Sequence, residues 1–185
     1  MKSIVVILSL VLFTSSHALA QEVKYFTTSS GNINFQSDAP YELIKAASNQ
    51  LQGVLDPGKK EFAFKVRMET FEGFNSALQR EHFNENYMES KKHPEARFTG
   101  KIIEDIDFTQ NGTYSVRAKG MFTVHGVSQE RIIKSELTIK DGMASVKSNF
   151  TVLLSDHNIP IPKVVKDKLA SEIKVEVTCQ MQPRK

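Results

Sequence analysis

Apolar and polar side chains trade places along most of this chain with a period of two. Phe62, Phe64, Val66 and Met68 stand between Ala63, Lys65 and Arg67. Tyr114, Val116 and Ala118 alternate with Ser115, Arg117 and Lys119, and the same parity reaches Phe122 and Val124. Ile133, Leu137 and Ile139 alternate with Lys134, Glu136, Thr138 and Lys140, apart from Ser135. Successive side chains of a strand point to opposite faces, so each run has one dry and one wet face, as antiparallel sheets do. The pattern predicts strands over 23–29, 31–37, 46–56, 60–71, 96–109, 112–125, 129–140, 143–154 and 172–181.

The punctuation agrees. Asn111-Gly112 and Asp141-Gly142 are two-residue hairpin signals, because the type I′ turn needs positive φ at both central residues. Asp56-Pro57-Gly58-Lys59 suits a type II turn, and Gly126-Val127-Ser128 separates two further strands. Consecutive hairpins make an antiparallel meander. Two helices interrupt it. Ser76-Ala77-Leu78-Gln79 reads as a capping box, followed by Phe83, Tyr87 and Met88 at loosely helical spacing and stopped by Pro94. A shorter helix is predicted near Pro162 to Ala170. Tyr41 to Gln50 carries helix formers but runs into the strand pattern at Leu51.

Residues 1–20 read as a cleaved signal peptide: Lys2, an apolar run from Ile4 to Phe13, then Ala18-Leu19-Ala20. A ten-residue run is too short to span a bilayer, which takes about 20. The expected mature domain is 21–185, one domain with no internal linker or repeat, exported to the periplasm or secreted. Its single cysteine, Cys179, has no intrachain partner and shares parity with Ile173, Val175, Val177 and Met181, as a small buried hydrophobe would. The formal net charge of +3 falls to +2 when Lys2 leaves with the leader. Such balance gives no footprint for nucleic acid, and leaves weak, transient contact with an anionic membrane surface open.

The usual catalytic signatures are missing. Histidines 82, 93, 125 and 157 show no His-x-x-x-His spacing and no Cys-x-x-Cys accompanies them, so no metal is assigned. No Gly-x-Ser-x-Gly elbow exists, and Ser155-Asp156-His157 is adjacency rather than triad geometry. The expectation is a protein that is not an enzyme. Twelve phenylalanines and no tryptophan, with many of the former on dry strand faces, point to an apolar interior. Side chains of a small barrel either fill that interior or leave room for one apolar ligand, and periodicity does not distinguish the two.

Four features together resemble the YceI-like family: Gly53 with Asp56, the segment Arg80-Glu81-His82-Phe83 running on to Tyr87, Pro94 with Phe98, and Thr123-Val124-His125-Gly126-Val127. The last keeps all five residue types common in the family; the second departs, with Glu81-His82-Phe83 where an Asp-x-His-Leu-like run is frequent. The resemblance implies a mainly β fold: an antiparallel, lipocalin-like β-barrel of about eight strands with one or two short helices. It also implies an interior that holds a polyisoprenoid or isoprenoid quinone for transport or storage, with no cofactor beyond such a lipid. Homodimers occur in the family. The expected apolar wall is Phe62, Phe64, Val66, Phe98, Tyr114, Val116, Phe122, Val124, Phe150 and Val152, with Arg80, His82 and His125 at the end that would take a polar headgroup. Two other readings stay open: a stress-related or partner-binding barrel with a filled core, and an enzyme acting on a prenyl lipid.

Overall fold

A computed structural model describes residues 25–184. The leader and its cleavage site lie outside the described residues. Eight strands close into a barrel in simple sequence order: β1 (Tyr25–Asp38), β2 (Leu43–Asp56), β3 (Glu61–Arg67), β4 (Glu95–Ile102), β5 (Gly112–Val124), β6 (Val127–Lys140), β7 (Met143–Leu153) and β8 (Glu172–Arg184). Every neighbouring pair is antiparallel, and β1 closes the ring against β8. Closure pairs every strand with two neighbours, so most backbone donors and acceptors of the sheet are satisfied without a free edge strand.

The predicted strands 23–29 and 31–37 are one strand. Its pairing with β2 shifts register around Gly31, and the bulge flips its parity: Phe26 faces inward below the shift, Ile33, Phe35 and Ser37 above it. An inserted residue exchanges the two faces of everything beyond it, which made one strand look like two. Tyr41 to Gln50 resolves as strand from Leu43 onward. The predicted strand 96–109 stops at Ile102, and the predicted 60–71 stops at Arg67.

Asp141-Gly142 is a two-residue turn with φ of 50° and 75°. Asn111-Gly112 is not a hairpin, because β4 has already ended and residues 103–111 form a longer connection with a turn braced by Asp107. The tight turn near Gly126 falls one residue earlier than predicted: His125 and Gly126 take φ of 52° and 72° between Val124 and Val127. The helix predicted near 162–170 is reduced to a single 3₁₀ turn, Lys163–Val165.

The hairpins separate two ends. At the lower end are the connections 57–60, 103–111 and 141–142. At the upper end are 39–42, 125–126, 154–171 and a long excursion, 68–94, that crosses the opening as a cover. The cover holds a short helix α1 (Ala77–His82) continued by one wide π-helical stretch, Phe83–Tyr87. Ser76 caps α1 as predicted, accepting from the Gln79 N–H at 3.1 Å. The Gln79 carbonyl reaches back to the Asn75 N–H rather than to that of Ser76. Leu78 of this helix is exposed.

Two details shape the cylinder. Gly100 on β4 faces Gly120 on β5. A Cβ on Gly100 would lie 2.1 Å from the Lys119 carbonyl oxygen, and one on Gly120 2.1 Å from that of Thr99, so the strands bend together only because both side chains are absent. The β6–β7 ladder, in turn, runs only from Lys140/Met143 up to Ser135/Ser148. Above it side chains bridge the gap: Arg131 donates to the Thr151 carbonyl at 2.8 Å and Gln129 to that of Asp156 at 2.9 Å.

Candidate functional site: the barrel interior

The inward positions leave space. A lower chamber of about 830 Å³, measured between its lining atoms and including its openings, is bounded by Leu51, Leu55, Ile102, Ile133 and Leu137 among others. An upper chamber of about 980 Å³ lies under the cover. Both are lined by Ile33, Val66, Ala96 and Phe122, so the chambers are stacked end to end with those four residues at the waist between them. Counted as room for a water-sized sphere, the free space within them is about 100 Å³ in the lower chamber and about 150 Å³ in the upper.

The wall is greasy and uncharged. Buried polar residues of the described chain are Ser37, Ser48, Ser148 and His157. Ser148 is matched by Ser135, its partner on the neighbouring strand β6, their hydroxyls 2.5 Å apart, so neither is left seeking a partner. Lys65 and Arg97 border the lower chamber but are exposed. Aromatic rings step around the wall from Phe62 to Phe98 (centroids 4.9 Å apart), Phe98 to Phe122 (6.1 Å) and Phe122 to Phe150 (5.7 Å), the last two edge to face.

Of the predicted wall, Phe62, Phe64, Phe98, Val116 and Phe150 line the lower chamber, Val124 and Val152 the upper, and Val66 and Phe122 both. Tyr114 lines neither: it lies toward the lower end, where its hydroxyl donates to the Gln110 carbonyl and the nearby Phe26 and Phe108 rings pack at 6.2 Å. The three polar residues do not gather at the mouth. Arg80 is exposed on the cover, donating to the Glu69 carbonyl at 2.9 Å. His82 is exposed on the same helix. His125 sits in the β5–β6 turn between the His157 carbonyl and Glu89.

An aromatic cluster beneath the cover was not foreseen. Phe35 stacks on Phe83 at 5.4 Å and also meets Phe71 and Phe74. Phe71 and Phe74 lie in irregular backbone, where no period marks them; Phe35 stood on a predicted strand and its parity could have shown it. The wide turn matters here: the Met88 N–H donates to the Phe83 carbonyl five residues back, and Phe83, Tyr87 and Met88 all line the upper chamber. Burial pushes the Tyr87 phenol upward from its ordinary pKa.

The family model described as the YceI-like domain matches residues 9–181. The chain belongs to the YceI-like family. A structure described as a polyisoprenoid binding domain from Saccharophagus degradans superposes with a TM-score of 0.74 at 11% identity, covering 88% of this chain and 100% of that one. Burkholderia cenocepacia BcnA gives 0.66 at 11% identity over 82% and 95% of the two chains. A Campylobacter jejuni YCEI protein gives 0.55 at 15% identity over 100% of both. At such identities the agreement is one of fold. No functionally curated protein matches this sequence.

Proposed function

We propose that this YceI-like protein is an exported carrier that holds one long isoprenoid lipid, a polyisoprenoid or an isoprenoid quinone, along the bore for transport or storage. The two stacked apolar chambers, sharing four wall residues, carry this reading. Their wall, including nine of the ten predicted residues, offers hydrocarbon contact along both chambers and few unpaired polar groups. The Saccharophagus degradans protein of the same fold is described as polyisoprenoid-binding.

Magnitudes favour a long chain over a short one. Burial stabilises by about 0.8 kcal/mol per methylene. Association and ordering cost an estimated 4–15 kcal/mol. On the order of 5–20 carbons must therefore be buried before binding becomes favourable. A chain of several isoprene units exceeds that, and a smooth wall without directional partners specifies its length loosely.

The upper end suits exchange. Beside the cover, the Gln79 amide donates to Glu42 and the Tyr41 N–H to the Asp167 carbonyl, which brings α1, 39–42 and 154–171 together. Tyr41, Leu43, Leu78 and Val164 around this junction are exposed. Gln79 and Tyr87 are polar residues of the upper chamber and would meet a headgroup there. Export rests on the leader pattern of residues 1–20. The experiment is mass spectrometry of an organic extract of the protein purified without detergent. A prenyl lipid near one equivalent is expected; its repeated absence, together with no uptake of a prenyl quinone from vesicles, would refute the carrier reading.

A further inference from the structure

Outside the bore, three side chains converge where the cover meets the β5–β6 turn. Glu89 and His93 come from the descending end of the cover and His125 from the turn. One potential ligand atom from each lies within 4.8 Å of the other two. The rings of His93 and His125 are 4.9 Å apart and edge to face. All three residues are half-buried.

The backbone is specialised to bring them together. Glu89 and His125 both have positive φ, 44° and 52°. That conformation costs a non-glycine residue roughly 1–2 kcal/mol. His93 packs over Gly126, where a Cβ would lie 2.5 Å from its Cε1. Only glycine there admits the imidazole.

The orientation of His125 is the telling point. His125 Nδ1 is 3.0 Å from the His157 carbonyl oxygen, and that oxygen only accepts. Nδ1 therefore faces that carbonyl as the N–H donor and turns Nε2 toward the rest of the cluster. Nε2 is 2.8 Å from the Glu89 carboxylate. Nε2 and the carboxylate thus converge on one spot, and a cation held by both would sit beside them with the two atoms slightly spread. An imidazole whose far N–H is fixed by a backbone carbonyl is the usual arrangement of a metal-bound histidine. The carbonyl is itself anchored, because the fully buried His157 ring donates from Nδ1 to the Val127 carbonyl at 3.0 Å.

We propose that Glu89, His93 and His125 bind one divalent transition-metal ion of the zinc class, with His125 bound through Nε2. Two imidazoles and a carboxylate suit Zn²⁺, Cu²⁺ or Ni²⁺, whereas Ca²⁺ and Mg²⁺ take oxygen ligands. Zinc bonds of about 2.0–2.2 Å place tetrahedral ligand atoms roughly 3.4 Å apart. The cluster reaches that by small side-chain rotations from separations of at most 4.8 Å. Three protein ligands leave a fourth position to water. The ion would join the end of the cover to the β5–β6 turn, independently of any lipid in the bore.

The test is calorimetric titration of chelator-treated, purified full-length protein with ZnCl₂, CaCl₂ and MgCl₂. One equivalent of Zn²⁺ is expected to bind at micromolar protein, with no heat from Ca²⁺ or Mg²⁺. His93→Ala and Glu89→Gln should each weaken Zn²⁺ at least tenfold. His125→Asn, which keeps a residue tolerant of positive φ, should do the same, and the exposed His82→Ala should not. Zn²⁺ should raise the melting temperature of the wild type but not of His93→Ala. Failure to bind Zn²⁺, or equal binding by all four variants, would overturn the site.

Discussion

Replacing Ala96 by phenylalanine reads the state of the bore directly. Ala96 lies at the waist, lines both chambers and pairs with Val66 across β3 and β4. If the space is open, the new ring enters it without displacing the wall. Burying a phenylalanine side chain stabilises by about 1.5–3 kcal/mol, part of it offset by lost rotamer freedom. We expect a net gain of about 1 kcal/mol, which for a domain of this size raises Tm by roughly 2–4 °C. A solid core would answer oppositely, since overpacking costs typically 1–3 kcal/mol. The assay is scanning calorimetry of protein refolded free of lipid, paired with the prenyl content of the variant purified natively. The expected result is a higher Tm and a several-fold lower lipid load, because the ring blocks the passage between chambers. A fall in Tm would refute the open bore, and an unchanged lipid load would refute the waist as the path of the chain.

Burial pushes the Cys179 thiol up to about 11, so an alkylating reagent at pH 8 should label it only after denaturation; rapid labelling of native protein, followed by mass spectrometry, would contradict its burial. Gly120→Val drives a side chain into the Thr99 carbonyl, and a loss of about 3 kcal/mol or more is expected in urea unfolding, with Gly100→Val equally harmful. Hydrogen bonds from the Arg117 backbone and guanidinium hold the Glu104 carboxyl below its ordinary 4.5. A lowered carboxylate stabilises above the unfolded pKa and stops doing so as pH falls through the folded one. Glu104→Gln should therefore be less stable than wild type at neutral pH, and the gap should close below about pH 4.5, as followed by thermal melts across pH.

What was legible in the chain was the part governed by a period of two. β5 and β7 could be drawn almost residue by residue, and inward residues such as Val116 and Phe150 followed from parity alone. Where a bulge resets parity, as at Gly31, local reading split one strand into two. Asn111-Gly112 has the composition of a tight turn but no strand beside it to close, because turn type depends on where the partner ends. The surroundings of the polar residues expected at an open end were not legible for a related reason. Arg80 and His82 ride on α1 of the cover and His125 on the β5–β6 turn, and where a cover places its side chains depends on packing, not on spacing. The Glu89–His93–His125 cluster was invisible because 32 residues separate its last two members in sequence, and only the pairing of β4 with β5, Arg97 opposite Thr123, sets them side by side.

The partial ladder between β6 and β7 also bears on what the cylinder can admit. Backbone rungs fix girth rigidly; struts made of Arg131 and Gln129 swing on rotatable bonds. The upper half of that seam is an expansion joint. A change of girth at that seam costs side-chain rotations rather than broken backbone rungs, while the other staves keep their spacing.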